Sequence, residues 1–386
     1  MRAGSRFAIL AAGIAAACGF AAPADAGKVL DSIKQKGVVT CGVHTGRAGF
    51  ALADSNGNWS GLDVDYCRAL AAAVLGDAKK VKYVPTSGQT RITALQSGEI
   101  DVLSRNTTWT YTRDTSLGLV WVGVNFYDGQ AFITKKKPGL AKITQLAGAT
   151  ICVDSGSTTE KNLAEYFTGH KLQYKGVVFD QIEASQQAFM SGRCQVYTGD
   201  NSNLAVLKAT QLKNPDDYVI LPEQISKEPL GPAVHRGDDD WFAIAKWTLN
   251  AMIEAEELGI SSQNIDSLKA SSTDPAIKRF VGTGDDLGKF MGLDKEWSYR
   301  IVKQVGNYGE SFDRNVGANS KVKLPRGQMN LWTKGGLMIS PPLRLSWPRY
   351  PARCPRRHRR ARRSTGARSG CRPSRSRWSS SSARGS

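Results

Sequence analysis

The sequence Ser97-Gly-Glu-Ile-Asp-Val-Leu-Ser-Arg-Asn-Thr-Thr-Trp-Thr-Tyr-Thr-Arg113 decides the fold of this chain. It predicts a short buried strand that ends in hydroxyl and amide groups and is followed by an arginine. A related unit lies 94 residues further on, since Ser191-Gly-Arg-Cys-Gln-Val196 resembles Ser97-Gly-Glu-Ile-Asp-Val102. In this register Asn106 aligns with Asp200. Two similar units, one ending near a cation and the other in an anion, predict two lobes that share one zwitterionic ligand.

Helical and strand patterns alternate on both sides of this unit. The predicted strands are 38–43, 81–84, 100–104, 120–126, 150–153, 177–179, 195–197 and 218–221. The predicted helices are 62–75, 91–96, 158–167, 181–190 and 241–258. Such alternation is typical of βαβ units. We therefore expect an α/β fold in which each lobe is a mostly parallel sheet flanked by helices.

The length of 386 residues exceeds one ordinary core and indicates two domains. We expect the first lobe to comprise residues 27–130 and 231–344, and the second lobe to be an insertion of residues 131–230. Residues 229–234 are the predicted return crossover, and residues 260–344 are predicted to wrap the first lobe as helices and loops. Two linkers favour a hinge, because few residues need to change φ and ψ for the lobes to close.

The first 26 residues have the pattern of a secretory signal peptide. Arg2 and Arg6 precede the apolar run 7–20, and Ala24-Asp25-Ala26 is a small-residue cleavage site. A first core helix is the alternative, but its alanine-rich surface would pack poorly. We therefore expect export with cleavage after Ala26.

Residues 345–386 differ from the rest of the chain in composition. They contain thirteen arginines and no lysine or acidic residue, so the formal net charge of +18 falls to +5 without them. Arginine, serine, proline, alanine and glycine bury too little apolar surface to order a segment. Either an arginine-rich nucleic-acid arm or a frameshifted or read-through end explains this tail, and we favour the second. The body needs no nucleic-acid partner.

Four cysteines lie in the predicted body of the chain, and an even number in an exported protein favours disulfides. Their order suggests the pairs Cys41–Cys67 and Cys152–Cys194, because each pair would join a strand to a nearby element. Buried free thiols are the alternative. Metal ligation is disfavoured, since the sequence has no CxxC motif and only four histidines.

A zwitterionic ligand needs fixed partners for both of its charges. Arg113 offers a planar fork that matches a carboxylate. Thr108 adds a hydroxyl donor, and the backbone N–H of Thr110 completes the predicted carboxylate site. Phe50 and Trp109 are candidates for the walls around the ligand side chain.

The second lobe is predicted to complete this site. Ser157 and Thr158 precede or begin a helix, where free N–H groups and the positive dipole end attract anions. A simple N-cap role is the alternative for either residue and is compatible with this one. Asp200 is the predicted acceptor for the ammonium, with an Asx turn as its alternative. Asn106, its counterpart in the first lobe, belongs to the same candidate site.

The sequence contains no arrangement that supports catalysis. It has no G-x-S-x-G motif, no phosphate loop and no plausible Cys/His pair among the body cysteines. We therefore expect a binding protein that is not an enzyme and has no cofactor or metal.

The stretch Gly61-Leu-Asp-Val-Asp-Tyr-Cys-Arg-Ala-Leu-Ala71 resembles the signature of bacterial periplasmic amino-acid-binding proteins of ABC importers. The segments that resemble the general L-amino-acid-binding subfamily are 41–43, 105–110, 129–132 and 331–337. The resemblance covers residues 27–344. It implies the two-lobed periplasmic-binding-protein type II fold, a monomer, and delivery of the ligand to membrane permease subunits.

The resemblance also implies roles for individual residues. Thr108 and Arg113 would hold the α-carboxylate with help from the helix start at Ser157 and Thr158, and Asp200 would hold the ammonium. Arg91 would face the side chain of the ligand, as in relatives that bind glutamate or aspartate. The expected ligands are polar L-amino acids such as Glu, Gln, Asp and Asn.

Two other functions compete with this prediction. A prephenate- or arogenate-type dehydratase on the same scaffold would need a general acid in the cleft, and the sequence offers no obvious candidate. A nucleic-acid-binding protein would act through the arginine-rich tail, and its binding would depend on salt and vanish on truncation after Arg344.

Overall fold

A computed structural model describes residues 28–345. The predicted signal peptide and residues 346–386 of the predicted tail lie outside the described residues. The strands are β1 Val39–His44, β2 Leu52–Ala53, β3 Trp59–Ser60, β4 Val81–Thr86, β5 Val102–Leu103, β6 Leu119–Trp121, β7 Phe126–Asp128, β8 Gln130–Lys135, β9 Thr150–Asp154, β10 Lys175–Phe179, β11 Val196–Asp200, β12 Tyr218–Ile220, β13 Glu228–Leu230 and β14 Ala233–His235. The α-helices are α1 Lys28–Lys36, α2 Leu62–Leu75, α3 Arg91–Gln96, α4 Tyr111–Ser116, α5 Thr158–Gly169, α6 Ile182–Met190, α7 Asn201–Thr210, α8 Asp239–Glu257, α9 Ile265–Ser271, α10 Pro275–Phe280, α11 Trp297–Gln304 and α12 Tyr308–Asn315.

Two five-stranded sheets follow the same plan. The first has the order β4-β1-β5-β14-β6, and the second has the order β10-β9-β11-β8-β12. In the first sheet only β14 runs against the other strands, and in the second only β8 does. The predicted α/β fold with two mostly parallel sheets is therefore confirmed.

The repeat recognised in the sequence corresponds to equivalent structure. Ser97 ends α3 and Ser191 ends α6, and each is followed by a glycine of positive φ that turns the chain toward the next strand. That strand is β5 in one sheet and β11 in the other, and each pairs in parallel with the neighbouring strand β1 or β9.

A two-stranded ribbon connects the regions of the two sheets. β7 and β13 pair in antiparallel fashion, with Asp128 opposite Glu228. The single strand predicted over 120–126 is wrong, because β6 ends at Trp121 and β7 begins at Phe126. The two halves find different partners, since β6 pairs with β14 and β7 pairs with β13. The predicted lobe boundaries at residues 130 and 230 stay a prediction.

The largest core lies under the first sheet and includes α2, α8, α11 and α12. Trp241 and Trp297 are buried there, so the segment after residue 260 packs as helices and loops against α2 and α8. The two predicted disulfides are present. Cys41–Cys67 joins β1 to α2, and Cys152–Cys194 joins β9 to the turn before β11. Among residues 28–345, no helix has the length and apolar character needed to cross a membrane.

Candidate functional site

Arg113 lies on the short helix α4, directly after the segment that holds Thr108. The Oγ1 of Thr110 accepts the backbone N–H of Arg113 at 3.4 Å and caps this helix. The guanidinium Nη1 donates to the backbone oxygen of Thr108 at 3.0 Å. Burial lowers the pKa of Arg113, although Glu228 and Asp200 act in the opposite direction. No other hydrogen bond of this guanidinium occurs within the described part of the chain, so its remaining N–H donors can meet a carboxylate.

The start of α5 supplies hydroxyl groups from the second lobe. Ser157 is the N-cap, and its Oγ accepts the N–H of Glu160 at 3.0 Å. Thr158 is the first helical residue, and its Oγ1 lies 3.3 Å from the Oγ1 of Thr108. The first turn of a helix has N–H groups without helical partners and a positive dipole end. Because Thr158 contacts Thr108, this end of α5 lies next to the segment that precedes Arg113.

Asp200 ends β11 and forms an ion pair with the first lobe. The Nη2 of Arg47 donates to its Oδ2 at 3.0 Å, and the two side chains are 7% and 11% exposed. Burial lowers the pKa of Arg47, but Asp200 and other acidic neighbours outweigh it and the net shift is upward. The guanidinium lies 5.5 Å above the ring of Phe50, which itself packs edge-on against Phe126 in the core. Phe50 therefore supports Arg47 and does not line the cleft.

Two further arginines enter the cleft without a carboxylate partner. The Nη2 of Arg91 donates to the backbone oxygen of Gly156 at 3.3 Å, and the Nε of Arg105 donates to that of Thr86 at 2.8 Å. Burial and the positive charge of Arg105 hold the pKa of Arg91 well below its usual value. Burial, followed by the charge of Arg47, lowers the pKa of Arg105 to about 10. Within residues 28–345, neither guanidinium forms an ion pair.

His44 lies at the end of β1 among these arginines. Burial lowers its pKa well below 6.5, and the charges of Arg105, Arg47 and Arg91 add to the effect. The ring is therefore neutral near pH 7. Its Nδ1 lies 3.3 Å from the backbone N–H of Gly46 and accepts that hydrogen bond.

Glu228 is a buried acid outside the set of site residues predicted from the sequence. It lies on β13 and is 1% exposed. Its Oε2 accepts hydrogen bonds from the Oγ1 atoms of Thr108 at 2.7 Å and Thr158 at 2.8 Å. These are two of the hydroxyls predicted to meet the ligand carboxylate. In the sequence Glu228 lies before Pro229 in a linker that also contains Glu223 and Lys227, so its residue type alone does not distinguish it.

The two lobes contact each other directly across the cleft. The Nε2 of Gln89 donates to the Oγ of Ser155 at 2.6 Å, and the Oγ1 of Thr45 donates to the Oε1 of Glu183 at 3.2 Å. Gly88 lies against the same loop, where a Cβ atom would be 2.3 Å from the backbone oxygen of Ser155. A side chain at this position would separate the two surfaces.

The cleft brings together most of the predicted site. The predicted residues that line it are Arg91, Asn106, Thr108, Ser157, Thr158 and Asp200. Asn106 has a positive φ of 41°, and its Oδ1 is buried without a hydrogen-bond partner. Thr110, Arg113 and Phe50 are not among the residues that line it, although Arg113 donates to the backbone oxygen of the lining residue Thr108. Trp109 stacks on Trp121 with ring centroids 6.1 Å apart, and it is 40% exposed.

Arg47, Arg105, His44 and Glu228 are the additions that the structure makes to the site. Across the described part of the chain, no group of three or more His, Cys, Asp or Glu side chains is placed to hold a metal ion. The cleft therefore combines cationic, anionic and hydroxyl groups from two lobes. Such an arrangement suits a small polar molecule that carries both charges.

Comparisons with known proteins agree with this geometry. Residues 39–264 match the family of bacterial extracellular solute-binding proteins, family 3. The chain belongs to this family. A similar member is the general L-amino acid-binding periplasmic protein AapJ of Rhizobium johnstonii, 52% identical over 87% of this chain and 99% of the relative.

Two other members extend the comparison. The glutamate/glutamine/aspartate/asparagine-binding protein BztA of Rhodobacter capsulatus is 48% identical over 86% of this chain and 98% of the relative. A solved structure of an ABC transporter periplasmic binding protein from Brucella ovis has glutathione bound. It is 51% identical, has a TM-score of 0.79, and covers 82% of this chain and 99% of its own. The family assignment therefore rests on sequence and fold together.

Proposed function

We propose that this family 3 solute-binding protein is a periplasmic receptor that captures polar L-amino acids and delivers them to an ABC permease. The observation that carries the proposal is the meeting of Asp200 from the second lobe with arginines of the first lobe in one cleft. A ligand that contacts both lobes favours the closed form over the open one, because closure adds contacts. The names of AapJ and BztA, which describe amino-acid binding, support this ligand class.

The α-carboxylate would bind to Arg113 and to the N–H groups at the start of α5. The ammonium would donate to Asp200, which already accepts one hydrogen bond from Arg47. A carboxylate has about four lone-pair sites, so Asp200 can accept from both groups at once. These contacts would therefore recognise the α-carboxylate and the ammonium that all free amino acids share.

The side chain would point toward Arg91 and Arg105. Neither forms an ion pair in the described residues, and buried guanidinium groups favour a carboxylate or a carbonyl oxygen as partner. Glutamate, glutamine, aspartate and asparagine each offer such an oxygen. The γ-glutamyl end of glutathione does so as well, and glutathione is bound to the related protein of Brucella ovis.

The ribbon formed by β7 and β13 would act as the hinge, with residues 27–130 and 231–344 on one side and 131–230 on the other. Few residues cross there, which suits rotation of one lobe against the other. The mature protein would be a monomer in the periplasm after loss of residues 1–26. Its closed form would dock on the permease.

A thermal-shift screen against the twenty amino acids and glutathione, followed by calorimetry, tests the proposal. Ligands that bind the folded form raise the melting temperature, so we expect the largest shifts with glutamate, glutamine, aspartate and asparagine. A shift with glutathione alone would assign the site to γ-glutamyl peptides. No shift with any of these compounds would contradict the proposal. Turnover of prephenate or arogenate would favour the dehydratase alternative.

A further inference from the structure

The hinge ribbon holds Glu228 firmly beside the ligand cleft. β13 pairs with β7 on one side, and on the other the N–H of Trp109 donates to the backbone oxygen of Pro229 at 2.9 Å. The N–H of Gly231 donates to the oxygen of Thr107 at 3.2 Å. The backbone around Glu228 is therefore tied to the segment that carries Thr108.

The carboxylate of Glu228 accepts four hydrogen bonds from both lobes and the linker between them. Thr108 of the first lobe and Thr158 of the second donate to Oε2, at 2.7 and 2.8 Å. Asn162 and Ser226 donate to Oε1, at 2.8 and 2.6 Å. The carboxylate oxygens are the acceptors in all four hydrogen bonds, and the four partners are the donors. No cation forms an ion pair with Glu228 in the described part of the chain.

This arrangement fixes the direction of two hydroxyl groups. A threonine hydroxyl has one proton, and both Thr108 and Thr158 direct it at Glu228. The two hydroxyl oxygens lie 3.3 Å apart, and both residues line the cleft. Their lone pairs, and not their protons, are therefore left for a ligand. A group that contacts these oxygens must be a donor such as an ammonium or an amide N–H.

We propose that Glu228 is a positioning residue that sets the hydrogen-bond polarity of the cleft by orienting the hydroxyls of Thr108 and Thr158. The proposal rests on the proposed function, because the hydroxyls matter only if a ligand with an N–H donor binds there. It also revises the predicted role of the two threonines. Their hydroxyls accept from the ligand ammonium, and the α-carboxylate is left to Arg113 and the backbone N–H groups.

The substitution Glu228→Gln changes the direction of the hydrogen bonds to Thr108 and Thr158 while it preserves the packing of the side chain. Glutamine has the same shape, but one of its two terminal atoms is an NH₂ donor. Because the amide of Asn162 donates to Oε1, the glutamine oxygen keeps that position and its NH₂ faces Thr108 and Thr158. The hydroxyls would then accept from glutamine and direct their protons into the cleft, where they oppose the ligand ammonium.

A double-mutant cycle measures this effect as the affinity for L-glutamate in calorimetry. We expect Glu228→Gln to weaken binding about 10- to 100-fold in the wild-type background, in line with loss of a charge-assisted network. In the Thr108→Val/Thr158→Val background we expect a change of less than about 2-fold, because no hydroxyl remains to be reoriented. Equal losses in both backgrounds would overturn the proposal.

Two controls keep structural effects apart from positioning. Glu223→Gln removes a carboxylate on the same linker that accepts the backbone N–H of Ile143 at 2.6 Å outside the cleft, and it should leave affinity unchanged. Thr108→Ser keeps the hydroxyl and should bind like wild type, whereas Thr108→Val should not. A loss as large for serine as for valine would overturn the proposal even if Glu228→Gln does not fold. Failure of the wild-type protein to bind any amino acid would instead refute the proposed function.

Discussion

Removing the charge of Asp200 should change the affinities for two related ligands in different directions. The substitution Asp200→Asn preserves size but removes the acceptor charge that the ligand ammonium would meet. A hydrogen bond to a charged group contributes about 1.5–3 kcal/mol, so L-glutamate should bind about 10- to 150-fold more weakly. The same substitution leaves Arg47, which is 7% exposed, without its ion-pair partner. An unpaired buried guanidinium attracts anions.

Loss of the ammonium acceptor weakens binding of an amino acid, whereas the unpaired guanidinium of Arg47 favours binding of an anion. Two matched ligands separate these effects. Glutarate has the carbon chain and both carboxylates of glutamate but no ammonium. We expect Asp200→Asn to leave glutarate affinity unchanged or raise it, while glutamate affinity falls. Calorimetry with both ligands on wild type, Asp200→Asn and the exposed control Asp216→Asn measures the difference. Equal weakening of both ligands would refute the ammonium role, because it would show that Asp200 acts through the fold.

Three further perturbations test other parts of the structure. Arg113→Ala should weaken L-glutamate binding by about 1.5–3 kcal/mol in calorimetry. Arg113→Lys should recover only part of this binding free energy, because lysine lacks the planar fork. Unchanged affinity in the alanine variant would refute the role of Arg113 in binding the α-carboxylate. Replacing both cysteines of Cys152–Cys194 by alanine should lower the free energy of unfolding in urea by about 4 kcal/mol, because the disulfide closes a loop of 42 residues. The same change at Cys41–Cys67, which closes a loop of 26 residues, should lower it by about 3.5 kcal/mol. A loss below about 1 kcal/mol in either variant would contradict this prediction. Burial and the neighbouring Asp200 raise the pKa of Asp128 from 3.8 to about 7, so its protonated form favours the folded state and stability is lost as pH rises between these values. The stability of Asp128→Asn relative to wild type should therefore increase from pH 5 to pH 8 in urea unfolding, and a constant difference would contradict the sign.

The sequence predicted correctly those helices whose ends are determined by residues close to them in the chain. The bounds of α2 and α3 agree with the prediction, and α2 ends at Gly76 in the left-handed conformation that stops helices. The helices α4 and α7 were missed. They begin with or contain threonine, serine, asparagine and aspartate, which favour turns in isolation.

The missed parts of the site depend on contacts between distant residues. Arg47 meets Asp200 across 153 positions, and Glu228 meets Thr108 across 120. The internal repeat did place Asp200 in the cleft, because it relates two equivalent strand ends. No periodicity relates a loop arginine or a linker glutamate to its partner, so only the folded chain could identify them.

The contact at Gly88 makes ligand affinity adjustable from a position outside the polar residues proposed to hold the ligand. Only glycine fits at position 88, because a Cβ atom there would lie 2.3 Å from the backbone oxygen of Ser155. A methyl group at this point would act as a wedge that penalises the compact form while leaving every polar partner of the solute intact. Side chains of increasing size at position 88 would thus yield a graded series of sensors, each reporting the same solute over a different concentration range.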